Sequence, residues 1–180
     1  MIEMRAVVEV PGGYVELSGR MTQDDVGTAL AAIAGYVVGV DAEPGPEQLR
    51  ALLAEEMIVM AGGLSVLDTT TGVRIVPGCC AGLESWRDWA LFLDGEVPWL
   101  GHSPAPGVEL TADVVRLWQD EDAQEPPSCE IPLADLPGHL RGVRRDLDAF
   151  LWLVRTWAPH GMGEDLAARF DEDFAVSAPL

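Results

Sequence analysis

Residues 77–118 read PGCCAGLESWRDWALFLDGEVPWLGHSPAPGVELTADVVRLW, and this stretch decides how the rest of the chain is interpreted. It begins with two adjacent cysteines, continues into a helical apolar pattern, and passes through a proline-rich and glycine-rich loop into a pair of β-rich runs. It also holds four of the six tryptophans of the chain. A helix and a hairpin each have an apolar face to bury, so the segment favours helices packed against antiparallel sheet.

The same two patterns extend outward in both directions. Three pairs of β-rich runs flank short turns and predict three hairpins, while apolar residues at helical spacing predict four to five helices. Because hairpins pair antiparallel, we expect an α+β fold, with an antiparallel sheet built from about three hairpins and covered by the helices. One sheet and two sheets both stay open. The predicted strands are 4–10 with 14–19, 64–68 with 73–76 and 108–111 with 114–119, and the predicted helices are 22–38, 46–61, 82–94, 137–157 and 162–170.

A chain of 180 residues is most simply one domain, expected over 1–175, with a frayed tail at 176–180. Thr22 is placed to cap the first helix, residues 39–46 read as a loop, and Gly62-Gly63 should end the second helix. The third helix is expected to bury Leu83, Trp86, Ala90 and Leu93. Three tryptophans are assigned to the core: Trp86, Trp118 and Trp152.

The charge of the chain is strongly one-sided. Thirty acids face eleven bases, all of them arginine, and the net charge is -19. Such a field repels nucleic-acid phosphates and anionic membrane surfaces, so we expect neither as a partner. It would steer a basic protein inward, although it would also serve solubility alone.

Several chemistries lack their residues in this sequence. Without lysine there is no Schiff base, P-loop lysine or pyridoxal anchor, and no glycine-rich phosphate motif occurs, so we predict no cofactor. The N-terminus shows no secretory signal pattern, and no apolar run approaches the ~20 residues of a membrane helix. Three cysteines, two of them adjacent, do not suggest a disulfide framework, and a reducing cytoplasm is the expected compartment.

Cys79 and Cys80 are the candidates for nucleophilic chemistry. They precede a predicted helix start, where the helix dipole would lower a thiol pKa. His102 could serve as the base, with Glu84 or Glu109 orienting it, which would make a cysteine-dependent enzyme. The alternative is that both cysteines pack as small apolar residues beneath the helix, and on balance it is favoured over catalysis. No metal site is predicted, because adjacent cysteine side chains should diverge and no zinc-type spacing occurs.

Two loops are the candidates for a binding surface. Residues 95–107 carry Trp99 and His102, and residues 120–130 hold five acids and no base. Trp99 suits a core and an interface equally well. We expect a protein-binding module, of immunity type or regulatory, that docks a basic partner. The binding residues would be Trp99, His102, Asp120, Glu121, Asp122 and Glu125.

This expectation has a parallel among known proteins. In size and charge the chain is similar to bacterial immunity proteins that neutralise toxins, and the SUKH group of immunity proteins is similar in its broad mix of elements. No motif of that group is present, so the likeness concerns architecture and charge.

Overall fold

The computed structural model describes residues 1–39 and 45–180, and its elements form an α+β fold. The loop predicted over 39–46 therefore lies for the most part outside the described residues. Strands are β1 (Ile2–Val10), β2 (Gly13–Glu16), β3 (Gly62–Asp68), β4 (Arg74–Ile75), β5 (Gly107–Leu110), β6 (Val114–Trp118) and β7 (Ser128–Pro132). Helices are α1 (Gln23–Val38), α2 (Pro46–Ala54), a 3₁₀ helix (Leu83–Asp94), α3 (Leu136–Trp157), a 3₁₀ turn (Pro159–Gly161) and α4 (Gly163–Phe174).

The strands form two antiparallel sheets. One has the order β2-β1-β3-β4 and the other the order β5-β6-β7. In the first sheet β1 is central, with Val7 opposite Glu16 of β2 and Met4 opposite Val66 of β3. The three predicted hairpins are all present, as β1 with β2, β3 with β4 and β5 with β6. The α+β prediction is confirmed, and the hairpins are divided between two sheets.

Strand β7 corrects the prediction of an acidic loop over 120–130. Cys129 and Ile131 are buried, whereas Glu130 and Pro132 face solvent, which is the alternation of a half-buried strand. The strand pairs with β6, with Leu117 opposite Cys129. The acids and prolines upstream concealed this two-residue period, so the loop is shorter than predicted.

The helix over Leu83–Asp94 follows a period of three residues per turn rather than 3.6. Its buried residues recur at every third position, so they line one straight face of a 3₁₀ helix: Leu83, Trp86, Trp89 and Phe92. The predicted α-helical face is therefore wrong in part, since Leu93 is 46% exposed. The three-residue spacing of large apolar side chains was the signal that an α-helical interpretation overlooked.

Helix α2 ends at Ala54, well before the predicted end at 61. The chain leaves the helix because α4 binds the following residues. The Arg169 guanidinium donates to the carbonyl oxygens of Glu55 and Glu56, and an Asp173 carboxylate oxygen accepts from the Ile58 amide at 2.9 Å. Ile58 and Met60 are then buried in the core, and the two glycines at 62–63 open β3 instead of ending a helix.

The C-terminal residues make specific contacts instead of fraying. Val176 is fully buried, and Arg144 donates to the Ser177 carbonyl oxygen at 2.8 Å. Arg87 donates to the carbonyl oxygens of Ala175 and Ala178 at 3.1 and 3.2 Å. Arginines of the 3₁₀ helix and of α3 thus hold a tail that the sequence predicts to be loose.

One hydrophobic cluster contains residues of both sheets and of the helices. Trp86 is fully buried at its centre, and its indole N–H donates to the Phe174 carbonyl oxygen at 2.8 Å. Trp118 is half-buried, but Trp152 is 60% exposed, so its assignment to the core is wrong. Trp152 lies on the solvent face of α3, where five positions beyond Leu147 it falls off the apolar stripe. Among the described residues, no helix combines the length and the apolar character needed to cross a membrane.

Candidate functional site

The candidate site is built where residues 77–82, which precede the 3₁₀ helix, lie alongside residues 99–106. The Gly78 amide donates to the Leu100 carbonyl oxygen at 2.9 Å. Cys79 and His102 form an antiparallel bridge. The Cys79 amide donates to the His102 carbonyl oxygen at 2.6 Å, and the His102 amide donates to the Cys79 carbonyl oxygen at 2.9 Å. A Cβ atom on Gly78 would lie 2.6 Å from the His102 nitrogen, so the close approach requires glycine.

Gly101→Ala should therefore destabilise the protein by about 2–4 kcal/mol, since Gly101 faces the Gly78 backbone and has a φ of +93°. Gly95→Ala is the matched control, because Gly95 has a φ of +82° with open space around it. The free energy of unfolding of the control should fall by only about 1 kcal/mol, which is the cost of placing alanine at a positive φ without a steric clash. Urea unfolding of both variants measures the difference. Equal losses would show that the two segments are not packed as described.

The side chains of this bridge converge at the surface. The Cys79 and Cys80 sulfur atoms are 3.4 Å apart, and one donor atom from each of Cys79, Cys80 and His102 lies within 4.8 Å of the others. Both thiols are exposed, so the expectation that they pack beneath the helix is wrong. The expectation that adjacent cysteine side chains diverge is also wrong here. Cys80 has a φ of +64°, and this turn of the backbone accompanies the convergence.

The pKa of the Cys79 thiol is raised, which is the opposite of what a helix N-terminus was expected to do. The first cause is the contact with Cys80, followed by the charge of Cys80, partial desolvation and the charge of Glu9. The 3₁₀ helix begins at Leu83, so its dipole starts three residues beyond Cys80. A raised pKa leaves less thiolate at neutral pH and disfavours nucleophilic catalysis. Cys129, in β7, is the buried cysteine, and burial raises the pKa of its thiol.

The carboxylates expected to orient His102 are engaged elsewhere. Glu84 accepts a hydrogen bond from the Met60 amide at 3.3 Å, and Glu109 lies 3.7 Å from Arg116 in an ion pair. The His102 Nδ1 atom instead lies 3.0 Å from the Ser103 hydroxyl. The structure brings Cys79, Cys80 and His102 together, but leaves Glu84 outside the cluster of donor atoms. The cysteines and the histidine of the catalytic arrangement considered from the sequence therefore lie together, but no carboxylate of that arrangement lies in the cluster with them.

Trp99 lies on the same loop as His102 and is 63% exposed. Its ring meets the His102 imidazole edge to face, with centroids 6.1 Å apart. Leu100, the next residue, is buried and anchors the loop to the core. Val97, two residues before Trp99, is 56% exposed and follows the exposed acids Asp94 and Glu96 in the sequence. The loop therefore presents a large apolar side chain to solvent from a fixed backbone.

The acidic loop that follows β6 is joined to the tryptophan loop. The Glu121 amide donates to the Ala105 carbonyl oxygen at 2.8 Å, and the Asp122 amide is held by an Asp120 carboxylate oxygen at 3.1 Å. Asp120, Glu121, Asp122 and Glu125 are all exposed. Within the described part of the chain, none of these four carboxylates lies in an ion pair. The two loops proposed from the sequence as a binding surface, 95–107 and 120–130, are thus joined by a hydrogen bond.

A groove runs along this surface between the β3–β4 turn and the acidic loop. It is open to solvent and is lined by residues 71–75 together with Gln119, Asp120, Ala123, Pro126 and Pro127. Gln119 fixes the position of the acidic loop. Its side-chain amide accepts from the Val76 amide at 2.7 Å and donates to the Val76 carbonyl oxygen at 3.2 Å, as a neighbouring strand would.

Sequence reasoning missed the residues that position the site. Gln119, Ser103 and Tyr14 belong to this group, and the Tyr14 hydroxyl donates to the Pro77 carbonyl oxygen at 2.8 Å. Gln119 and Tyr14 bond distant backbone groups, which leaves no local pattern in the sequence, whereas Ser103 contacts the adjacent His102 and was overlooked. Gly78 and Gly101 did carry a signal in the sequence, since each immediately precedes a chemically distinctive residue, Cys79 and His102 respectively.

No family model, no curated protein and no solved structure matches this chain.

Proposed function

We propose that this protein docks a basic protein partner through a surface formed by Trp99, His102, Asp120, Glu121, Asp122 and Glu125, named here the docking surface. The observation that carries the proposal is Trp99: it is 63% exposed, and its loop is hydrogen-bonded at Ala105 to a loop with four exposed carboxylates that form no ion pair with any described residue. Tryptophan is a favoured anchor at interfaces, and Trp99 differs from the similarly exposed Trp152 in lying on a loop that is joined to an acidic loop.

Charge supports a basic partner in particular. The chain has a net charge of -19, and four exposed carboxylates without ion pairs to described residues lie on the loop that is joined to the loop of Trp99. Such a field speeds the approach of a basic protein and rejects acidic competitors. An immunity-type protein that neutralises a basic toxin would use this arrangement, and so would a regulatory protein. A reducing cytoplasm suits the free thiols Cys79 and Cys80, and we assign the function to that compartment.

The chain offers matched controls for a test. The loop variant replaces Asp120, Glu121, Asp122 and Glu125 with their amides. The matched variant does the same at four acids that are exposed elsewhere and lie in no ion pair with described residues: Glu47, Asp148, Asp165 and Glu172. Each variant removes four negative charges, so only their location differs.

The experiment is quantitative capture from a lysate of the organism that encodes the chain, at low salt. We expect one or more basic proteins to be retained by the wild type and by the matched variant, and lost with the loop variant and with Trp99→Ala. Retention should fall as salt is added, since steering by exposed charge is screened. Capture of no basic protein, or equal loss from the loop and matched variants, would remove the support for the proposal.

A further inference from the structure

We propose that Cys79, Cys80 and His102 form a binding site for a thiophilic divalent cation of the Zn²⁺ class. His102 belongs both to this site and to the docking surface, but the inference does not rest on the docking surface, because it concerns the isolated chain and requires no protein partner. It begins from the one group of donor atoms that meets within 4.8 Å in the described residues: two thiols and one imidazole.

The spacing of the donor atoms suits a tetrahedral ion. Two thiolates bound to zinc at about 2.3 Å lie about 3.8 Å apart in tetrahedral geometry. The observed separation of the Cys79 and Cys80 sulfur atoms is 3.4 Å, so small rotations about the side-chain bonds suffice. A linear two-coordinate ion would need the sulfurs on opposite sides of the metal, and this spacing does not provide that.

The third donor is prepared by its neighbours. The His102 Nδ1 atom lies 3.0 Å from the Ser103 hydroxyl, which can accept a hydrogen bond from Nδ1–H, and in that tautomer Nε2 carries the lone pair that a metal ion needs. Metal-binding histidines usually have such a partner on the second ring nitrogen. All three residues are exposed, so a fourth position would remain open to water or to a ligand.

The backbone holds these residues in uncommon conformations. Cys80 has a φ of +64° and Ser103 a φ of +57°, in the left-handed region that non-glycine residues seldom adopt. Residues in such regions persist only where their surroundings enforce them, and they concentrate at ligand sites. Here the two flank the Cys79–His102 bridge, whose hydrogen bonds of 2.6 and 2.9 Å fix both halves of the cluster. The negative net charge of the chain would further raise the local concentration of cations.

The test is titration of the reduced, chelator-treated full chain with Co²⁺, followed by displacement with Zn²⁺ in the presence of a chromophoric chelator. Thirty acids can hold divalent ions loosely, so the readout is the thiolate-to-cobalt charge-transfer absorbance, which carboxylates do not produce. We expect one ion per chain with this absorbance in the wild type. Cys79→Ser and Cys80→Ser should each abolish it, and His102→Gln should weaken binding.

The expected loss of Zn²⁺ affinity in each serine variant is at least about 100-fold, since changing even an outer-shell partner costs 10–100-fold. Cys129→Ala and His139→Gln are the matched controls, because both residues lie outside the cluster. Far-ultraviolet circular dichroism checks that each variant is folded. Absence of the charge-transfer band in the reduced wild type would overturn the proposal, and so would a band that survives in the double serine variant or is lost in the controls.

Discussion

Trp86→Ala should lower the free energy of unfolding by about 3–5 kcal/mol, the range found when large aromatic side chains are removed from a core. Trp86 is fully buried, and it is the largest of the side chains buried at the centre of the hydrophobic cluster. The truncation leaves a cavity that the packed surroundings fill only in part. It also leaves the Phe174 carbonyl oxygen without the indole N–H that now donates to it at 2.8 Å.

Trp152→Ala is the matched control, since Trp152 is 60% exposed and lies on the solvent face of α3. We expect its effect to stay within about 0.5 kcal/mol, as for most surface substitutions. Urea unfolding followed by circular dichroism measures both variants without relying on tryptophan fluorescence. A small loss in Trp86→Ala would contradict the placement of the 3₁₀ helix against the core, and a large loss in Trp152→Ala would contradict the placement of Trp152 on the solvent face of α3.

The second large effect is expected at the link between α4 and the chain that follows α2. Asp173→Ala should cost about 3 kcal/mol, because it leaves the Arg169 guanidinium and the Ile58 amide without their common acceptor. The Asp173 side chain is only 8% exposed, and one of its oxygens lies 2.6 Å from Arg169 Nε and 2.9 Å from the Ile58 nitrogen. Arg169 keeps some contact with water, so we place the cost at the low end for a buried pair.

Two further variants separate the contributions of this carboxylate. Glu172→Gln removes an exposed carboxylate from the neighbouring position and should change the free energy of unfolding by less than about 0.5 kcal/mol. Asp173→Asn keeps an oxygen that can accept from the Ile58 amide, so it should recover part of the loss. Thermal unfolding of the three variants measures their order of stability, which we expect to rise from Asp173→Ala through Asp173→Asn to Glu172→Gln. If Asp173→Ala and Glu172→Gln behaved alike, the link would not hold residues 55–58 in place.

Local signals in the sequence predicted the elements that depend on local chemistry. Thr22 caps α1 and exchanges hydrogen bonds with Asp25, a capping box that needs only neighbouring residues. The apolar stripe of α3 likewise identified its buried face, including Leu140, Val143 and Phe150. Where distant residues decide the outcome, local patterns were insufficient. Helix α2 ends early because Arg169 and Asp173 bind the next residues, and the tail is held by Arg87 and Arg144.

The candidate site also combines features that the sequence indicated with features that depend on distant residues. Charge and composition directed attention to Trp99 and to the acidic loop, and the structure places the two loops in contact through Glu121 and Ala105. The same reasoning misplaced Cys79 and Cys80, because burial is only the average tendency of free cysteine. Their exposure follows from the backbone bridge to His102, which pairs residues 23 positions apart and has no local signature.

The most direct test of the docking surface is the affinity for the captured basic partner, measured by titration calorimetry with the wild type and four variants of the chain. We expect Trp99→Ala to raise Kd by about 30-fold or more, as for an interface anchor worth at least 2 kcal/mol, and Trp152→Ala to leave it unchanged. The loop variant should raise Kd at least tenfold at low salt and less at high salt, and the matched variant should raise it no more than about threefold. Equal effects of Trp99→Ala and Trp152→Ala, or of the two charge variants, would contradict the account.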